Sequence, residues 1–413
     1  MATKTTVMAE TLLDNFDIQY DEFIGQIVLK KDVQGQEVLV EAGQMTDNKA
    51  RLIQAFLERK YDTGYPMSKL FEAIESAASQ HVFSSVYDWI ESKKWDRKSR
   101  LWTIGEELFG VENPEINKAI GIWIINLVGG AYGVDTGKFQ YTLDIIGNQG
   151  TGKTSFLKRL GGQYYTDQFM SFTKKDDFEI MMKNLIVNDD EMQVTAINSD
   201  KVFKKFVSTN EFTYRPAYAR NSETKKRHFV ISRTTNDSSY LTDLGGNRRI
   251  IPVIVNDYKI KQNAFKLPDS WYENVLAEAR DYYSAVITHP DKTIDDINKQ
   301  MESISFENMT ENLNVFAEID DVIMNVLKSE HKFDESIRVS ELNASIEQEL
   351  YSQMIDYQQK ELRNQIQMVM QREGFEKKPK KINGKTVRCF VKKGVTQEAK
   401  KVTQEAKKVT SKG

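Results

Sequence analysis

A glycine-rich segment followed by a lysine and a threonine is the part of this sequence with the clearest chemistry. It satisfies the pattern G-x-x-x-x-G-K-[ST] at every fixed position, and its residues are Gly147, Asn148, Gln149, Gly150, Thr151, Gly152, Lys153 and Thr154, followed by Ser155. Glycines allow a tight turn whose backbone N–H groups surround an anion. We expect Lys153 to reach the β- and γ-phosphates of ATP and the Thr154 hydroxyl to join the shell of a Mg²⁺ ion.

The residues on either side of this loop have the order that a phosphate-binding loop (P-loop) requires. Residues 141–146 are rich in β-branched and aromatic types, which favours a strand, and residues 155–160 have the pattern of an amphipathic helix that ends at Gly161-Gly162. A glycine turn with an incidental lysine is the plain alternative. The flanking pattern favours nucleotide binding.

An acidic cluster follows the next apolar run, at residues 185–187. A P-loop enzyme needs one carboxylate to hold Mg²⁺ and another to orient the attacking water. We assign Asp190 to the metal and Glu191 to the water. Asp189 takes the metal role if the strand ends one residue earlier, and a solvated acidic turn is the alternative to both.

Polar residues also accompany two later strands of the same region. Residues 228–232 predict a strand that leads to Asn236, whose amide could sense the γ-phosphate or position water, although asparagine is also common in turns. Arg248 and Arg249 precede a strand at 250–255 and suit an arginine finger, which would reach the nucleotide of a neighbouring subunit. A surface pair bound to local carboxylates is the alternative.

A segment rich in basic and aromatic residues lies between the acidic cluster and Asn236. The chain has a net charge of −3, so contact with nucleic acid must be local. Runs at 212–215 and 226–231 predict a hairpin whose tip could track a sugar-phosphate backbone in a central channel. The candidate DNA-binding residues are Lys204, Lys205, Arg215, Arg220, Lys225 and Lys226. A solvated charged face is the alternative.

The chain of 413 residues is long enough for three domains. Residues 1–135 are predicted to be mostly helical, with a hairpin-like pair at 27–30 and 38–40. Residues 136–290 alternate strands with helices, which predicts an α/β core with a parallel sheet and flanking helices. Residues 291–314 have the composition of a linker, and residues 395–413 repeat Val-Thr-Gln-Glu-Ala-Lys-Lys, which predicts a disordered or frayed helical tail.

Residues 315–394 have the element pattern of a small winged-helix module. Helices are predicted at 319–327, 340–350 and 358–372, a strand at 336–339, and a basic wing at 376–393 around Asn383-Gly384. Duplex DNA suits such a surface, with Arg363 or Gln367 reaching base edges and Lys380, Lys381 and Lys385 contacting phosphates. A packing module whose edge strand is protected by lysines is the alternative.

Composition and targeting signals favour a soluble cytoplasmic protein. Hydrophobic residues make up 40% and charged residues 28% of the chain. The longest apolar run, at 120–134, is shorter than the roughly 20 residues that a membrane span needs, so it predicts a buried helix. The start lacks a secretory signal, and the single cysteine, Cys389, cannot form an internal disulfide.

Together these residues resemble the virulence-associated protein E family of phages and staphylococcal-type mobile genetic islands, which is related to superfamily 3 helicases within the AAA+ ATPases. The resemblance covers residues 85–290. It rests on Trp95-Asp96, Arg100, the P-loop, Glu191, the basic stretch from Lys204 through Arg215 to Arg220, Thr235-Asn236 and Gly246-Asn247-Arg248-Arg249. One departure is Asn188, where the family tends to have a glutamate.

The resemblance implies an AAA+ P-loop ATPase core and a hexameric ring that translocates on single-stranded DNA by ATP hydrolysis. It also implies that the hairpin grips DNA and that the arginine finger acts across subunits. The leading residues carry neither a zinc-ligand cluster nor a polymerase-like acidic pair, so we expect priming, where it is needed, to come from a separate primase or polymerase.

We therefore expect an ATP-dependent replicative DNA helicase that acts in replication initiation of a phage or mobile genetic island and binds both single-stranded DNA and duplex origin DNA. An ATP-regulated DNA-binding initiator or regulator without processive unwinding has the same motifs. A P-loop kinase or other small-molecule phosphotransferase is the alternative from a different class.

Overall fold

The computed structural model describes residues 4–134, 136–198, 200–214, 222–236, 249–290, 292–304, 306–331, 334–355, 357, 359–382 and 384–392. Predictions for Arg215, Arg220, Arg248 and the repetitive tail lie outside these ranges. The described part contains helices at both ends of the chain and a parallel sheet between them.

The N-terminal part combines three helices with short strands. Its elements are α1 (Lys4–Asn15), β1 (Ile18–Asp21), β2 (Gln26–Leu29), β3 (Val33–Gly35), β4 (Val38–Val40), β5 (Gly43–Gln44), α2 (Asp47–Tyr61), α3 (Met67–Ala78) and β6 (Val82–Phe83). Leu12, Ile53, Leu57 and Ile74 are among the apolar side chains that fill its own hydrophobic cluster. This cluster contains no residue beyond Ala78.

The predicted pairing of residues 27–30 with 38–40 is wrong. Strand β2 pairs antiparallel with β1 and with β5, whereas β4 pairs with β3. The apolar pattern located strands correctly, but a pattern of alternating residues does not state which partner a strand takes. Here the nearer neighbour, β1, supplies the partner for β2.

Three helices lead into the sheet: α4 (Ser85–Glu91), α5 (Ile104–Phe109) and α6 (Pro114–Ala131). Helix α6 begins at a proline, and the Asn113 side chain accepts a hydrogen bond from the Glu115 N–H at 2.8 Å. It is apolar on all sides and is buried almost throughout, as the sequence predicted. The Trp123 indole donates to the Ile231 carbonyl at 3.0 Å, so α6 packs directly on the sheet.

A parallel sheet of five strands forms the centre of the described structure. The elements of this region in chain order are β7 (Thr142–Ile146), α7 (Lys153–Gly161), β8 (Tyr165–Thr166), α8 (Lys175–Met181), β9 (Ile186–Asp189), α9 (Gln193–Ile197), α10 (Asp200–Val207), β10 (Glu211–Tyr214), β11 (Glu223–Lys226), β12 (Val230–Thr235) and β13 (Ile250–Ile254), of which β10 and β11 form a separate two-stranded sheet. The strand order across the sheet is β13-β7-β12-β9-β8. Strand β12 therefore lies between the P-loop strand β7 and the acidic strand β9.

Both faces of the sheet are covered, because alternate residues of the strands join two different hydrophobic clusters. Ile186 and Val230 pack with α6, α7 and α11 (Asp269–Ile287). Val187 and Ile231 pack on the opposite face against α8 and α10. Fully buried parallel strands of this kind are typical of α/β proteins.

Residues 291–314, predicted as a linker, instead contain α12 (Ile294–Glu302) and the first turns of α13 (Glu307–Glu330). Thr293 and Asp296 form a capping box at the start of α12. Ile297 and Met301 are buried in the cluster around the sheet. The polar composition hid these helices because only one narrow face of α12 is apolar.

The C-terminal part continues from α13 with β14 (Ser336–Arg338), α14 (Val339–Ser352), α15 (Gln359–Arg372), β15 (Phe375–Ile382) and β16 (Lys385–Lys392). It has its own hydrophobic cluster, which includes Ile323, Leu342, Ile366 and Phe390. Its strands form a small antiparallel sheet in the order β14-β16-β15. Ile382 pairs with Lys385, on either side of the predicted Asn-Gly turn, of which Asn383 lies outside the described residues.

Candidate functional site

The P-loop runs from the carboxyl end of β7 to the first residue of α7. A Cβ atom at Gly147 would lie 2.6 Å from the Cβ of Val255, so a larger residue does not fit there. Gly152 has φ of +91°, a left-handed conformation that favours glycine. These two positions give the loop its close packing and its turn into the helix. The helix N-terminus and the loop N–H groups suit an anion.

Lys153 lies at the beginning of α7 and is only 7% exposed. Its ammonium group donates to the carbonyl oxygens of Gly147 and Asn148 at 2.7 and 2.8 Å, and to the Asn236 amide oxygen at 2.8 Å. Burial lowers the pKa of Lys153, and the charges of Asp257, Asp190 and Glu191 oppose this shift. The lysine is thus held in the loop by neutral oxygens, which a phosphate oxygen can replace.

Thr154 and Asp190 approach each other across the site. The Thr154 hydroxyl donates to Asp190 Oδ1 at 2.7 Å, and the Thr234 hydroxyl donates to the same oxygen at 2.6 Å. These bonds join the P-loop helix, the end of β9 and the end of β12. A serine or threonine hydroxyl beside a carboxylate is the kind of oxygen pair that Mg²⁺ prefers.

Asp189 is directed away from the P-loop and holds α9. Its carboxylate accepts from the backbone N–H groups of Val194 and Thr195 at 2.9 and 2.7 Å, and from the Thr195 hydroxyl at 2.6 Å. Burial raises the pKa of Asp189, while these hydrogen bonds act in the opposite direction. The alternative that placed the metal on Asp189 therefore lacks the contact with Thr154 that Asp190 makes.

Glu191 is exposed and follows directly after Asp190. Its φ is +53°, and its backbone N–H donates to the Thr234 hydroxyl at 3.1 Å. A glutamate in the left-handed region is uncommon and costs free energy, which is frequent at functional sites. This turn takes the Glu191 side chain out of the strand direction and onto the rim of the cavity.

A cavity of about 110 Å³ lies between the P-loop and the ends of β9 and β12. The residues that line it are Gln149, Gly150, Gly152, Lys153, Thr154, Ser155, Glu191, Thr234, Asn236 and Phe265. The cavity therefore brings together the predicted loop, Glu191 and Asn236, while Asp190 lies beside it through Thr154 and Thr234.

Three members of this neighbourhood were missed by the sequence analysis. Thr234 donates to Asp190 and accepts from Glu191, yet it stands in a strand rich in threonine and carried no signal of its own. Asp257 accepts a hydrogen bond from the Asn148 side chain at 2.8 Å and so holds the loop. Phe265 lines the cavity from a segment with no recognisable motif.

Asn188, at the position of the departure from the family pattern, joins a neutral polar network. Its side chain donates to the Tyr165 hydroxyl at 3.0 Å and accepts from the Ser232 hydroxyl at 3.0 Å. It lies only at the margin of hydrogen bonding to Asp190, at 3.5 Å. Asparagine therefore bridges β8 and β12 without adding a charge beside Asp190.

Arg249 lies at the opposite end of the sheet from the P-loop. Its carbonyl accepts from the Thr142 N–H at 2.8 Å, at the amino ends of the parallel strands β13 and β7. The five residues of β7, roughly 16 Å in length, separate this end of the sheet from the P-loop. The Arg249 guanidinium donates to the Ser208 hydroxyl at 2.5 Å, so it cannot reach the P-loop of its own chain in this arrangement.

The basic segment contains a hairpin, but its strands differ from the prediction. Glu211–Tyr214 pairs with Glu223–Lys226, whereas Val230 and Ile231 belong to the central sheet. Phe212 and Tyr214 are buried, as is Phe206 on α10. These three aromatic side chains therefore form core rather than a stacking surface.

Arg227, which also belongs to the basic segment, is not available to bind DNA. It is 1% exposed, and its guanidinium donates to the carbonyl oxygens of Val207, Thr136 and Phe139. It ties α10 to the chain before β7 and has no access to a ligand. Of the candidate residues, Lys205 and Lys226 are exposed, Lys204 is partly buried, and Lys225 forms an ion pair with Glu223 at 3.4 Å.

The predicted wing is exposed near the tip of the β15–β16 hairpin, whereas Cys389 and Phe390 on β16 are buried. Lys380, Lys381 and Lys385 lie near its tip, and Pro379 lies on β15, an edge strand where a missing N–H is tolerated. Arg363 is exposed on α15. Gln367, on the same helix, hydrogen-bonds the Tyr258 hydroxyl and opposes the rise in the Tyr258 pKa that burial causes.

The Trp95-Asp96 and Arg100 positions form an anchored turn away from the cavity. Arg100 forms a two-bond ion pair with Asp96 at 2.7 Å, which holds the pKa of that carboxyl far below its usual range. Glu278 on α11 accepts from the backbone N–H groups of Arg100 and Leu101. This motif therefore fixes the chain that precedes the sheet against α11.

Two absences apply to the described residues. They contain no group of three or more His, Cys, Asp or Glu side chains that could hold a metal ion. No helix among the residues with described coordinates combines the length and apolar character needed to cross a bilayer.

The fold and site define a mixed α/β protein in which a glycine-rich loop faces an acidic strand end. A family model for the virulence-associated protein E-like domain matches residues 90–311, which is more than half of the chain. The chain therefore belongs to the virulence-associated protein E-like domain family.

The solved structures similar to this chain include two apo forms of the NrS-1 C-terminal region. One has 11% sequence identity and a TM-score of 0.42, and the match covers 95% of this chain and 100% of that chain. The other, an A form, has 12% identity and a TM-score of 0.40, with 94% and 100% covered. No curated protein matches the chain.

Proposed function

We propose that this chain is an ATP-dependent DNA helicase that acts as a ring in the replication of a phage or mobile genetic island. The observation that carries the proposal is the 2.7 Å contact between Thr154 and Asp190 beside the cavity that Lys153 lines. It supports the proposal because the glycine-rich loop, an oxygen pair of the kind that Mg²⁺ prefers and the exposed Glu191 carboxylate lie at one end of a parallel sheet. Ligands of open α/β sheets bind at that end.

The triphosphate of ATP is held by the loop and by Lys153. The ammonium group gives up its bonds to loop carbonyls and takes phosphate oxygens, which are stronger acceptors because they are charged. Because Asn236 shares this ammonium group at 2.8 Å, the end of β12 responds to whether a γ-phosphate is present. This is the sensor role that we assign to Asn236.

Mg²⁺ fits the oxygen atoms of Thr154 and Asp190. Mg²⁺ is commonly held by one or two protein oxygens together with substrate phosphates and water. When bound, the ion neutralises the charge that develops on the phosphates. The role of Thr234 is to hold Asp190 in its orientation.

Glu191 orients the attacking water. Its exposed side chain lies on the rim of the cavity, and its unusual backbone conformation is fixed by Thr234. The carboxylate accepts a hydrogen bond from the water and turns the water oxygen toward the γ-phosphorus. Glu191 lines the cavity, whereas Asp190 is held by Thr154 and Thr234, so we assign the two carboxylates separate tasks.

A ring, hexameric as the family resemblance implies, is supported by the place of Arg249. Arg249 lies at the amino ends of β13 and β7, whereas its own P-loop lies at their carboxyl ends. The phosphate that it contacts therefore belongs to a neighbouring subunit. Arg248 is its partner in this role and lies outside the described residues. An arginine supplied by a neighbour makes hydrolysis depend on assembly.

DNA contacts are proposed at two surfaces. The β10–β11 hairpin precedes β12, whose carboxyl end holds Asn236, so a strand-end movement on hydrolysis passes to the hairpin and its exposed Lys226. The second surface is the wing with Lys380, Lys381 and Lys385, which together with α15 has the helix-plus-hairpin order of a winged helix and suits duplex DNA.

A strand-displacement assay on a forked DNA tests this proposal. We expect unwinding with ATP and Mg²⁺, and none with Glu191→Gln, which keeps the shape of the side chain but cannot take the charge of a carboxylate. DNA-stimulated hydrolysis without unwinding would favour the initiator or regulator. A rate of hydrolysis or phosphate transfer that DNA does not change would favour a small-molecule phosphotransferase.

A further inference from the structure

Phe265 is an exposed aromatic side chain at the mouth of the P-loop cavity. It lies in the segment between β13 and α11, and 53% of it remains exposed to solvent. A Cβ atom at Gly152 would lie 3.7 Å from Cε2 of the Phe265 ring, so the ring edge borders the P-loop itself. Among the described residues that line the cavity, Phe265 alone is aromatic.

The segment that carries Phe265 is firmly anchored. The carbonyl of buried Ala264 accepts from the Tyr272 hydroxyl at 2.8 Å and from the Arg159 guanidinium at 3.0 Å. The Phe265 N–H donates to the Asn263 side chain at 2.9 Å. Arg159 is fixed in turn by Asp269, at 2.7 Å.

This arrangement keeps a large apolar ring in water on a rigid support, although its neighbour Ala264 is buried. Leaving apolar area in water forgoes the free energy of burial. Because Phe265 lines the cavity, a ligand that fills the cavity can cover the ring. Lys153 and Thr154, which line the cavity, are suited to the phosphates of a nucleotide. The base or sugar of that nucleotide is therefore the part that faces Phe265.

We propose that the Phe265 ring stacks on the base of the bound nucleoside triphosphate and favours purine over pyrimidine nucleotides. The proposal rests on the nucleotide binding proposed above and adds the part of the site that recognises the base. Stacking needs a π face on both partners, and a purine offers more area than a pyrimidine. The rigid support lowers the entropy cost of presenting the ring.

Binding measurements on the full chain by titration calorimetry test this role, with ATP, CTP and inorganic tripolyphosphate as ligands. We expect Phe265→Ala to weaken ATP binding by about 5- to 100-fold and to leave tripolyphosphate binding unchanged. Phe265→Tyr should bind ATP like the wild type, whereas Phe265→Leu should be weakened because it keeps apolar area but lacks a π face. CTP should bind more weakly than ATP to the wild type.

Tyr258→Ala is the matched control, because Tyr258 is also an exposed aromatic residue in the same segment, at 48%, and does not line the cavity. We expect it to bind both ligands like the wild type. Equal loss of ATP and tripolyphosphate in Phe265→Ala, or no loss at all, would overturn the stacking role while leaving the P-loop site intact. A wild-type chain that binds neither ligand would instead overturn nucleotide binding itself.

Discussion

The Lys153 ammonium group lies 2.8 Å from the Asn236 amide oxygen, which joins the P-loop to the end of the neighbouring strand β12. This contact crosses the cavity in which we place the γ-phosphate. In the function that we propose, the γ-phosphate shares the Lys153 ammonium group with Asn236 and replaces the loop carbonyls. We propose that this bond links nucleotide binding to the end of β12.

Asn236→Ala removes that link while leaving the loop carbonyls as partners of Lys153. We expect kcat for ATP hydrolysis to fall by about 10- to 100-fold, because a group that positions the γ-phosphate or its attacking water is lost. The dissociation constant for ATP should change little, since Lys153 and the loop remain. Steady-state kinetics together with equilibrium binding measure the two effects, and a loss of affinity with unchanged kcat would contradict the sensor role.

Thr234→Val removes a buried hydroxyl group and keeps the shape of the side chain. Asp190 then loses a hydrogen bond of 2.6 Å and the Glu191 N–H loses its acceptor, so both carboxylates lose their orientation. We expect kcat to fall by about 10-fold or more. Thr234→Ser keeps the hydroxyl and should restore most of the activity. If the valine and serine variants behave alike, Thr234 acts only through packing.

Asp189 and Asp190 are adjacent carboxylates with separable roles. Asp190→Ala should reduce Mg²⁺-dependent hydrolysis by about 100-fold or more and leave the unfolding temperature nearly unchanged, because its partners lie around the cavity. Asp189→Ala should lower the free energy of unfolding by about 1–3 kcal/mol, because three hydrogen bonds to α9 are lost. Kinetics and thermal denaturation of both variants decide this, and reversed effects would exchange the assignments.

His228 makes the stability depend on pH. The centroids of the His228 and Phe23 rings are 4.7 Å apart, and Nε2 of His228 lies 2.9 Å from the Met182 carbonyl oxygen. Burial lowers the pKa of His228 to about 4, and the charge of Lys225 adds to this effect. The unfolded chain takes up the proton near the ordinary pKa of about 6.5, and the folded chain takes it up only near pH 4.

Below pH 6.5 the proton therefore favours the unfolded state, so the free energy of unfolding falls as the pH drops from 6.5 to 4, by up to about 3 kcal/mol. His228→Gln cannot titrate and can still donate to the Met182 carbonyl. We expect the stability difference between wild type and variant to change across this pH window and to be constant above it. Parallel curves for the two proteins would exclude His228 as the titrating group.

The core of the site could be read from the sequence because its signals are local. The P-loop pattern states its own turn geometry, and the strand before it and the helix after it occur as predicted, at Thr142–Ile146 and Lys153–Gly161. The buried helix α6 could also be read, since apolar residues surround it on every side. Such elements need no information about distant partners.

The remaining features depend on contacts between distant parts of the chain. Arg227 looked like part of an exposed basic run, but carbonyl groups from Thr136, Phe139 and Val207 enclose it. Thr234 can donate to Asp190 only because β12 lies between β7 and β9, a strand order that the sequence does not state. The choice of Asp189 or Asp190 as the metal ligand depends on the residue at which β9 ends. Adjacent strand residues face opposite sides, so a shift of one residue exchanges the two carboxylates.

The most direct measurement of the central claim is ATP hydrolysis by the wild type and by Lys153→Ala, with and without single-stranded DNA. Thermal denaturation of both proteins shows that each is folded. We predict hydrolysis by the wild type that single-stranded DNA accelerates, and a loss of about 100-fold or more in the variant, since the charge that holds the phosphates is removed. Equal hydrolysis by the two proteins would contradict the assignment of the P-loop as the site of the reaction.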